Sequence, residues 1–247
     1  MKRVFDVFMF RDELDLLEAR LMEHEDSVYR HVLVESPLTY TGHGKELSYA
    51  ENKERFSPWK DKITHVIADI SDQTSNPGRE NAQRNAAWQG LDDYAAGDIL
   101  IHGDADEIPH PKTLQSTGIK ILHQHHPIAV NLRDYTYWGG YVAQPGPKRP
   151  DMMELRQRLH SRVIPEYRGK GWHFSWLGGP EAMKVKARTL QEQYYVPIMD
   201  NGAQDFYDKK INPGSGDRNL ALVEIDETFP KYMQERRGPE SWYWGGK

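Results

Sequence analysis

Apolar positions along this chain fall alternately into short β-rich runs and stretches spaced for helices, starting at the first residues. Val4 to Phe10 reads as a buried strand. Asp12 offers an N-cap, and Leu14, Leu16, Leu17, Ala19 and Leu21 place an apolar stripe on a helix running to about His24. Tyr29 to Val34 is a second strand ending at Glu35-Ser36-Pro37. Strand, helix and strand at this spacing make a βαβ unit, and hence a parallel sheet with a right-handed crossover. Thr39 to Lys62 is polar and reads as a long loop with a helical turn around Glu51 to Phe56; Ile63 to Ile67 is a third strand. After a turn at Ser75-Asn76-Pro77-Gly78, the spacing predicts a helix over Arg79 to Tyr94, with Ala82, Ala86 and Leu91 on one side, leading into a strand over Asp98 to His102.

Beyond that second unit the pattern predicts a helix over Lys112 to His123, strands over Ile128 to Leu132 and Tyr135 to Val142, and a proline-rich loop over Gln144 to Pro150. Arg156 to Ile164 fits a strand or a helix. Trp172 to Trp176 reads as a short aromatic strand, and Glu181 to Gln193 as a helix with Pro180 suited to its first turn. From Asp200 onward polar residues and glycine dominate. The expected fold class is α/β, a Rossmann-like mixed, mainly parallel sheet flanked by helices. With no strong linker, residues 1–247 are expected to form one domain, with a ligand-binding half over 1–111, a second half over 112–235 and a tail over 236–247.

In open sheets of this kind ligands bind beyond the carboxyl ends of the strands, which puts Phe10, Glu35 and Ser36 on the binding edge. The strand from Asp98 runs into Asp104, Asp106 and Glu107 on that same edge before Pro109 and Pro111 stop it. Carboxylates at the end of a buried strand are costly without a positive partner. Two Asp one residue apart suit a hard divalent cation, Mg²⁺ or Mn²⁺, whose remaining ligands are phosphate oxygens and water. A bare Asp-x-Asp is also what a solvated acidic turn looks like; its place at the end of a βαβ strand favours the nucleotide reading.

Composition narrows the class further. The 247 residues are 38% hydrophobic and 28% charged, as in a soluble globular protein. Without cysteine the chain has neither disulfides nor thiolate sites, which fits a reducing compartment. The opening Met-Lys-Arg-Val-Phe-Asp lacks the apolar core of a signal peptide, and no run approaches the length of a membrane span, so the expected location is the cytoplasm, with no membrane partner. Sequence leaves the oligomeric state open.

Several separated motifs then resemble one family. Arg84-Asn85-Ala86 followed by Gly97-Asp98-Ile99-Leu100-Ile101 and Asp104-Ala105-Asp106 resembles the nucleotide-sugar half of GT-A glycosyltransferases. Phe5-Asp6-Val7-Phe8, the Glu13 to Leu21 helix, Val32 to Ser36 with Thr39-Tyr40-Thr41-Gly42, Glu51 to Phe56, Asp104 to Pro109, Gly171 to Trp176 and Phe229 to Tyr232 resemble glycosyltransferase family 17 in the same order. The resemblance implies a GT-A fold and a metal-dependent, inverting transfer of GlcNAc or glucose from a UDP-sugar to a hydroxyl on a glycan or small molecule. It implies donor contacts from Phe10, Glu35, Arg84, Asn85 and Asp104, and a Mn²⁺ (or Mg²⁺) site built from Asp104, Asp106 and His173. An inverting transfer also needs a carboxylate base. Glu181, which follows the aromatic motif at a helix start, is the first candidate and Asp134 the second, with Glu107 third. Tyr137, Trp138, Trp172 and Trp176 are expected on the acceptor side. The animal members of the family carry a membrane anchor and cysteines; this chain is expected to lack the anchor, it contains no cysteine, and Phe174 stands where they have one.

Charge adds one further expectation. Lys148 to Arg188 holds ten Lys or Arg against four Asp or Glu. A cationic patch beside a nucleotide-sugar site suits a diphosphate, and it also suits a polyanionic acceptor such as DNA carrying a hydroxymethylated base. A reading of another class is a non-catalytic sugar-nucleotide or carbohydrate-binding module. The cluster His123, His125 and His126 is expected on the surface.

Overall fold

The computed structural model describes residues 3–95, 98–114, 120–125, 130–131, 135–142, 152, 168–174, 176, 178–208, 220–221, 227 and 229–235. Its centre is a strand buried at every position, β1 (Val4–Met9). The chain leaves β1 through α1 (Leu14–Glu23) and returns as β2 (Arg30–Glu35), parallel to β1. A short helix α2 (Ser48–Glu51) and a 3-10 stretch (Lys53–Lys62) lead to β3 (Ile63–Ile67), parallel to β2. The helix α3 (Asn76–Ala86) then crosses to β4 (Ile99–Asp104), parallel to β1 on its other side. The α/β class and the two βαβ units are therefore as the apolar pattern predicts.

The second half adds β5 (Glu107–Pro109), α4 (Pro111–Leu114), β6 (Lys120–His125), β7 (Val130–Asn131), β8 (Tyr135–Val142) and β9 (Arg168–His173). The main sheet runs β3-β2-β1-β4-β8-β6-β9-β5. Its first four strands are all parallel, while β8 runs antiparallel to both β4 and β6. After β9 come α5 (Gly179–Thr189), α6 (Tyr195–Asp208), β10 (Leu220–Ala221) and α7 (Lys231–Glu235).

Where local structure departs from the sequence pattern, a physical reason is visible. Of the helix expected over Lys112 to His123, the described residues show the turn α4 up to Leu114, while Lys120 onward is instead β6, hydrogen-bonded between β8 and β9. His123 and His125 therefore lie within a strand paired on both sides. Helix α3 starts three residues earlier than expected, because the Ser75 side chain accepts from the Gly78 amide at 3.1 Å and Pro77 fits the first turn. It ends by tightening into a 3-10 turn over Ala87–Gly90. Gly90 has to be small there, since a Cβ would lie 2.7 Å from Val32 Cγ1. Helix α6 was hidden by its polar content and Gly202, although Met199 and Ala203 are buried at helical spacing and pack on Met183 and Ala187 of α5. Arg156 to Ile164, Gln144 to Pro150 and the 236–247 tail lie outside the described residues.

Helices cover both faces of the parallel strands. Phe5, Val7, Val32, Val34 and Leu100 pack with Ala87 and Leu91 on one face; Phe8, Leu33 and Phe56 pack with Leu17 and Leu21 of α1 on the other. Each such fully buried Leu or Phe contributes about 2 kcal/mol. The C-terminal helix α7 returns to the N-terminal half, where Tyr232 and Met233 join Leu16, Ala19, Ile108, Trp172 and Phe174. No helix among the described residues is long and apolar enough to cross a membrane.

A polar cluster is buried inside this apolar frame. Arg20 of α1 donates to both oxygens of Asp6 on β1, at 2.7 and 2.6 Å. Burial opposes the Asp6 charge, but the Arg20 guanidinium outweighs it and holds the carboxyl well below the usual range. His31 Nδ1 lies 2.9 Å from the same carboxylate, which can only accept, so Nδ1 carries the proton. Burial lowers His31 from its ordinary 6.5 to about 4, with Asp6 pulling the other way. The folded protein thus keeps His31 neutral, and the unfolded chain takes up the proton first as the pH falls. That contribution to stability is complete above pH 6.5 and is lost between pH 6.5 and about 4, amounting to roughly 3 kcal/mol at most. Urea denaturation across this window is expected to show stability falling with acid in the native chain, and a shallower fall in His31→Gln.

Candidate active site

At the carboxyl edge of the parallel strands lies an open cleft of about 770 Å³. It sits where β1 has β2 on one side and β4 on the other, the point at which crossovers leave in opposite directions and ligands bind in open α/β sheets. Its lining comes from the end of β1 (Met9, Phe10, Arg11), the loop after β2 (Leu38, Thr39, Tyr40, Lys45), α3 (Glu80, Gln83, Arg84), the end of β4 (Asp104, Ala105, Asp106) and the end of α5 (Lys186, Thr189, Leu190, Gln191), with Glu13.

Asp104 and Asp106 stand on one wall of this cleft, and each has a cation. Arg84 reaches down from α3 to bind Asp104 Oδ1 at 2.8 Å and Glu80 at 2.7 Å. Burial opposes its charge, but Asp104, Tyr40 and Glu80 outweigh that and raise the guanidinium above its ordinary value. Lys186 Nζ lies 2.8 Å from Asp106 Oδ2. Burial again opposes the ammonium, and Asp106 and Glu13 outweigh it, so it too is raised. Arg11 donates to Thr189 Oγ1 at 2.6 Å, joining the end of β1 to the end of α5. Lys45 has no ion pair among the described residues; its amine is 3.3 Å from the Glu46 carbonyl, and burial lowers its pKa against the pull of Glu35, Asp12 and Glu13.

The acidic segment is held from beneath and from the side. Arg20 Nη1 donates to the carbonyls of Asp104 at 3.0 Å, Ala105 at 3.4 Å and Glu107 at 2.6 Å. His24 Nε2 donates to the Pro109 carbonyl at 2.7 Å. Glu107 is fully buried, and its carboxylate accepts from the Asp104 amide at 2.8 Å. Strand β5 pairs with β9 so that Glu107 stands opposite His173 and Ile108 opposite Trp172, and the Phe174 amide donates to the Asp106 carbonyl at 2.8 Å. Two motifs more than sixty residues apart in the chain are thus backbone neighbours.

The other residues singled out from sequence occupy varied positions. Phe10 lines the cleft. Glu35 does not; it is fully buried and accepts from the amides of Tyr49 at 3.0 Å and Ala50 at 3.4 Å, with His65 2.9 Å away. Asn85 also lies off the cleft, its Oδ1 accepting from the Met152 amide at 2.8 Å. Trp172 and Trp176 are core residues rather than cleft walls: Trp172 packs with Ile108 and Phe174, and Trp176, held at φ 65°, packs with Met183 and Met199. Glu181 is in the first turn of α5 as expected, but its side chain is 83% exposed and off the cleft lining, and its bond from Lys184 lowers the carboxyl. Tyr137 and Trp138 are in β8 and His173 is in β9; their side chains, and Asp134 altogether, lie outside the described residues. Asp12 does not cap α1. Its carboxylate pairs with Arg11, and the helix starts after Glu13.

Lys45, Arg11 and Lys186 are the cleft residues that sequence reasoning missed. The positive balance of Lys148 to Arg188 counted Lys186 without picking it out, because only the fold brings the end of α5 to the end of β4. The described ion pairs of that stretch are local or directed into the cleft: Lys184 with Glu181, Arg188 with Asp200 and Lys186 with Asp106.

Two groups of side chains are candidates for a metal. The atoms of Asp6, His24 and His31 lie within 4.8 Å of one another, but the guanidinium of Arg20 already chelates that carboxylate, so a cation there would meet a like charge. Asp104 and Asp106 fit a divalent ion better, since both are carboxylates that line the open cleft, the donor chemistry that hard cations take.

Fold and cleft together define a doubly wound α/β protein with an open cleft at its topological switch point. The chain belongs to glycosyltransferase family 17, whose model matches residues 1–177. The family is one of glycosyltransferases. Among solved structures it is similar to glucosyl-3-phosphoglycerate synthase from Mycobacterium tuberculosis, in complex with Mn²⁺, UDP and phosphoglyceric acid, at 14% identity and TM-score 0.29 over 51% of this chain and 43% of that one. The match therefore spans less than half the length of that enzyme. It is also similar to a structure titled only as a mycobacterial protein, at 10% identity and TM-score 0.38 over 96% of this chain and 88% of that one. No curated protein matches.

Arg20→Lys keeps the charge but cannot reach both Asp6 oxygens and the three carbonyls together. It is expected to lower the unfolding free energy by about 3 kcal/mol, read by chemical denaturation at pH 7.

Proposed function

We propose that the protein is a metal-dependent, inverting glycosyltransferase that moves GlcNAc or glucose from a UDP-sugar to a hydroxyl acceptor. The observation that carries this reading is the cleft at the switch point, whose wall holds Asp104 and Asp106 and whose lining adds the cations Arg11, Lys45, Arg84 and Lys186. Carboxylates paired with several cations in one cavity suit a ligand that brings a metal ion and a diphosphate together. Asp104 and Asp106 would hold the Mn²⁺ or Mg²⁺, with His173, whose strand pairs with Glu107, as a third ligand. Such an ion, when bound, stabilises the negative charge that gathers on a departing nucleoside diphosphate.

The chain's own residues supply the rest. Lys45, which forms no ion pair with a described residue, meets the diphosphate as a cation. Arg84 fixes Asp104, so the carboxylate is aimed before ligand arrives and little ordering is left to be done on binding. The acceptor oxygen attacks the anomeric carbon from the face opposite the diphosphate, the bond to the diphosphate oxygen breaks, and a carboxylate takes the acceptor proton. Glu181 and Asp134 are the two candidates for that base. The family membership speaks for catalysis over a non-catalytic sugar-binding module.

A calorimetric screen of nucleotide sugars with Mn²⁺ tests the donor half. Tight binding of a UDP-sugar is expected, weakened by at least about tenfold in Asp106→Asn and by about tenfold in Lys45→Met; no binding to any nucleotide sugar with any divalent ion would overturn the proposal. Glu181→Gln addresses the base, with UDP release and transfer measured separately. Loss of transfer with donor binding intact assigns the role to Glu181, and near-normal turnover removes it.

A further inference from the structure

We infer that Lys186 is a tethered counterion that holds Asp106 while the cleft is empty and passes to the diphosphate when the metal and donor enter. The inference rests on the nucleotide-sugar reading of the cleft and assigns a role within it that neither the motifs nor the family membership specify. Lys186 lies in the last turn of α5, lines the cleft, and is 2.8 Å from Asp106 Oδ2. A divalent ion on Asp106 and an ammonium on the same carboxylate repel at contact distance, so one displaces the other. The displaced ammonium is already inside the cleft and has a flexible four-carbon stem, so it reaches a diphosphate without moving its helix.

The surroundings fit such an exchange. The end of α5 is fixed independently of Lys186, by Arg11 Nη1 to Thr189 Oγ1 at 2.6 Å and by Thr41 Oγ1 to the Arg188 carbonyl at 3.2 Å. These bonds hold the helix in place whichever partner the lysine takes. Trp176 backs the amine where it stands, its ring centroid 5.8 Å from Nζ. Asp104 is held differently: its cation Arg84 is locked to Glu80 by bonds at 3.0 and 2.7 Å and so stays in place. Of the two acids, Asp106 is therefore the one whose counterion can be exchanged.

The exchange predicts effects of opposite sign from a single substitution. In Lys186→Met, Mn²⁺ alone no longer competes with the ammonium and is expected to bind about tenfold more tightly, while UDP at saturating Mn²⁺ loses a cation and binds about tenfold more weakly. Isothermal titration of the native chain, Lys186→Met and Lys186→Arg reads both affinities, and Lys186→Arg, which keeps the charge, is expected to stay close to the native values. Both affinities moving in the same direction, neither moving, or Lys186→Arg behaving as Lys186→Met would overturn the exchange and leave the donor reading standing. A native chain that binds no UDP with Mn²⁺ removes the donor reading and the exchange with it. A Lys186→Met chain that has lost its native circular dichroism loses both affinities together, and in that case Lys186→Gln, measured in the same two titrations, decides.

Discussion

The geometry of the cleft depends on one buried ion pair. Arg20 joins α1 to β1 through Asp6, and its remaining nitrogen gathers the carbonyls of Asp104, Ala105 and Glu107. A segment that turns three carboxyl side chains within four residues has every electrostatic reason to splay. Arg20 instead fixes its backbone from the interior, while the side chains are left to face other partners. A buried pair of this kind is weak evidence for net stability, because desolvation offsets much of the attraction. Its value here lies in orientation: a hydrophobic replacement would fill the space but leave the three carbonyls unmet and the loop free to move.

The same constraint explains how distant motifs come to act together. Once Arg20 and His24 hold the backbone from Asp104 to Pro109, β5 is presented as an edge on which β9 pairs, and the aromatic segment follows in register. Trp172 and Phe174 then fall into the core with Leu16 and Ala19 of α1, so the helix that carries Arg20 is itself clamped by what it positions. Asp106, at the hinge of this arrangement, accepts the Phe174 amide through its carbonyl and Lys186 through its side chain.

The sequence made the first four strands and their crossovers legible because βαβ units leave a strong, local apolar signature. Asp104, Asp106 and Phe10 were legible as residues of the binding edge, where they line the cleft, for the same reason, since a strand's end can be read from the strand. Glu35 also ends a strand, yet its carboxylate turns inward to the amides that open α2, a choice set by tertiary packing. The aromatic residues misled in the same way: Trp172 and Trp176 look like sugar platforms in sequence and are core residues in space. Lys45, Arg11 and Lys186 could not be chosen beforehand, because each comes from a different element and only the closed fold brings them to one cavity.

Charge balance in that cavity constrains what enters it. Its lining carries the acids Glu13, Glu80, Asp104 and Asp106 and the bases Arg11, Lys45, Arg84 and Lys186, so the two signs are matched before any ligand arrives. Arg11, Arg84 and Lys186 are each held by a carboxylate, so a bare anion reaching them would have to strip a cation from an acid, and a bare cation would have to do the reverse; either leaves a charged group short of its partner. A ligand that brings both signs at once, a divalent ion bound to a diphosphate, lets each acid and each base exchange one partner for another with no charge left over. On the donor reading proposed above, this favours entry of metal and nucleotide as one complex, with the partly buried Lys45, the one cleft cation that forms no ion pair with a described residue, as the natural first contact for the diphosphate.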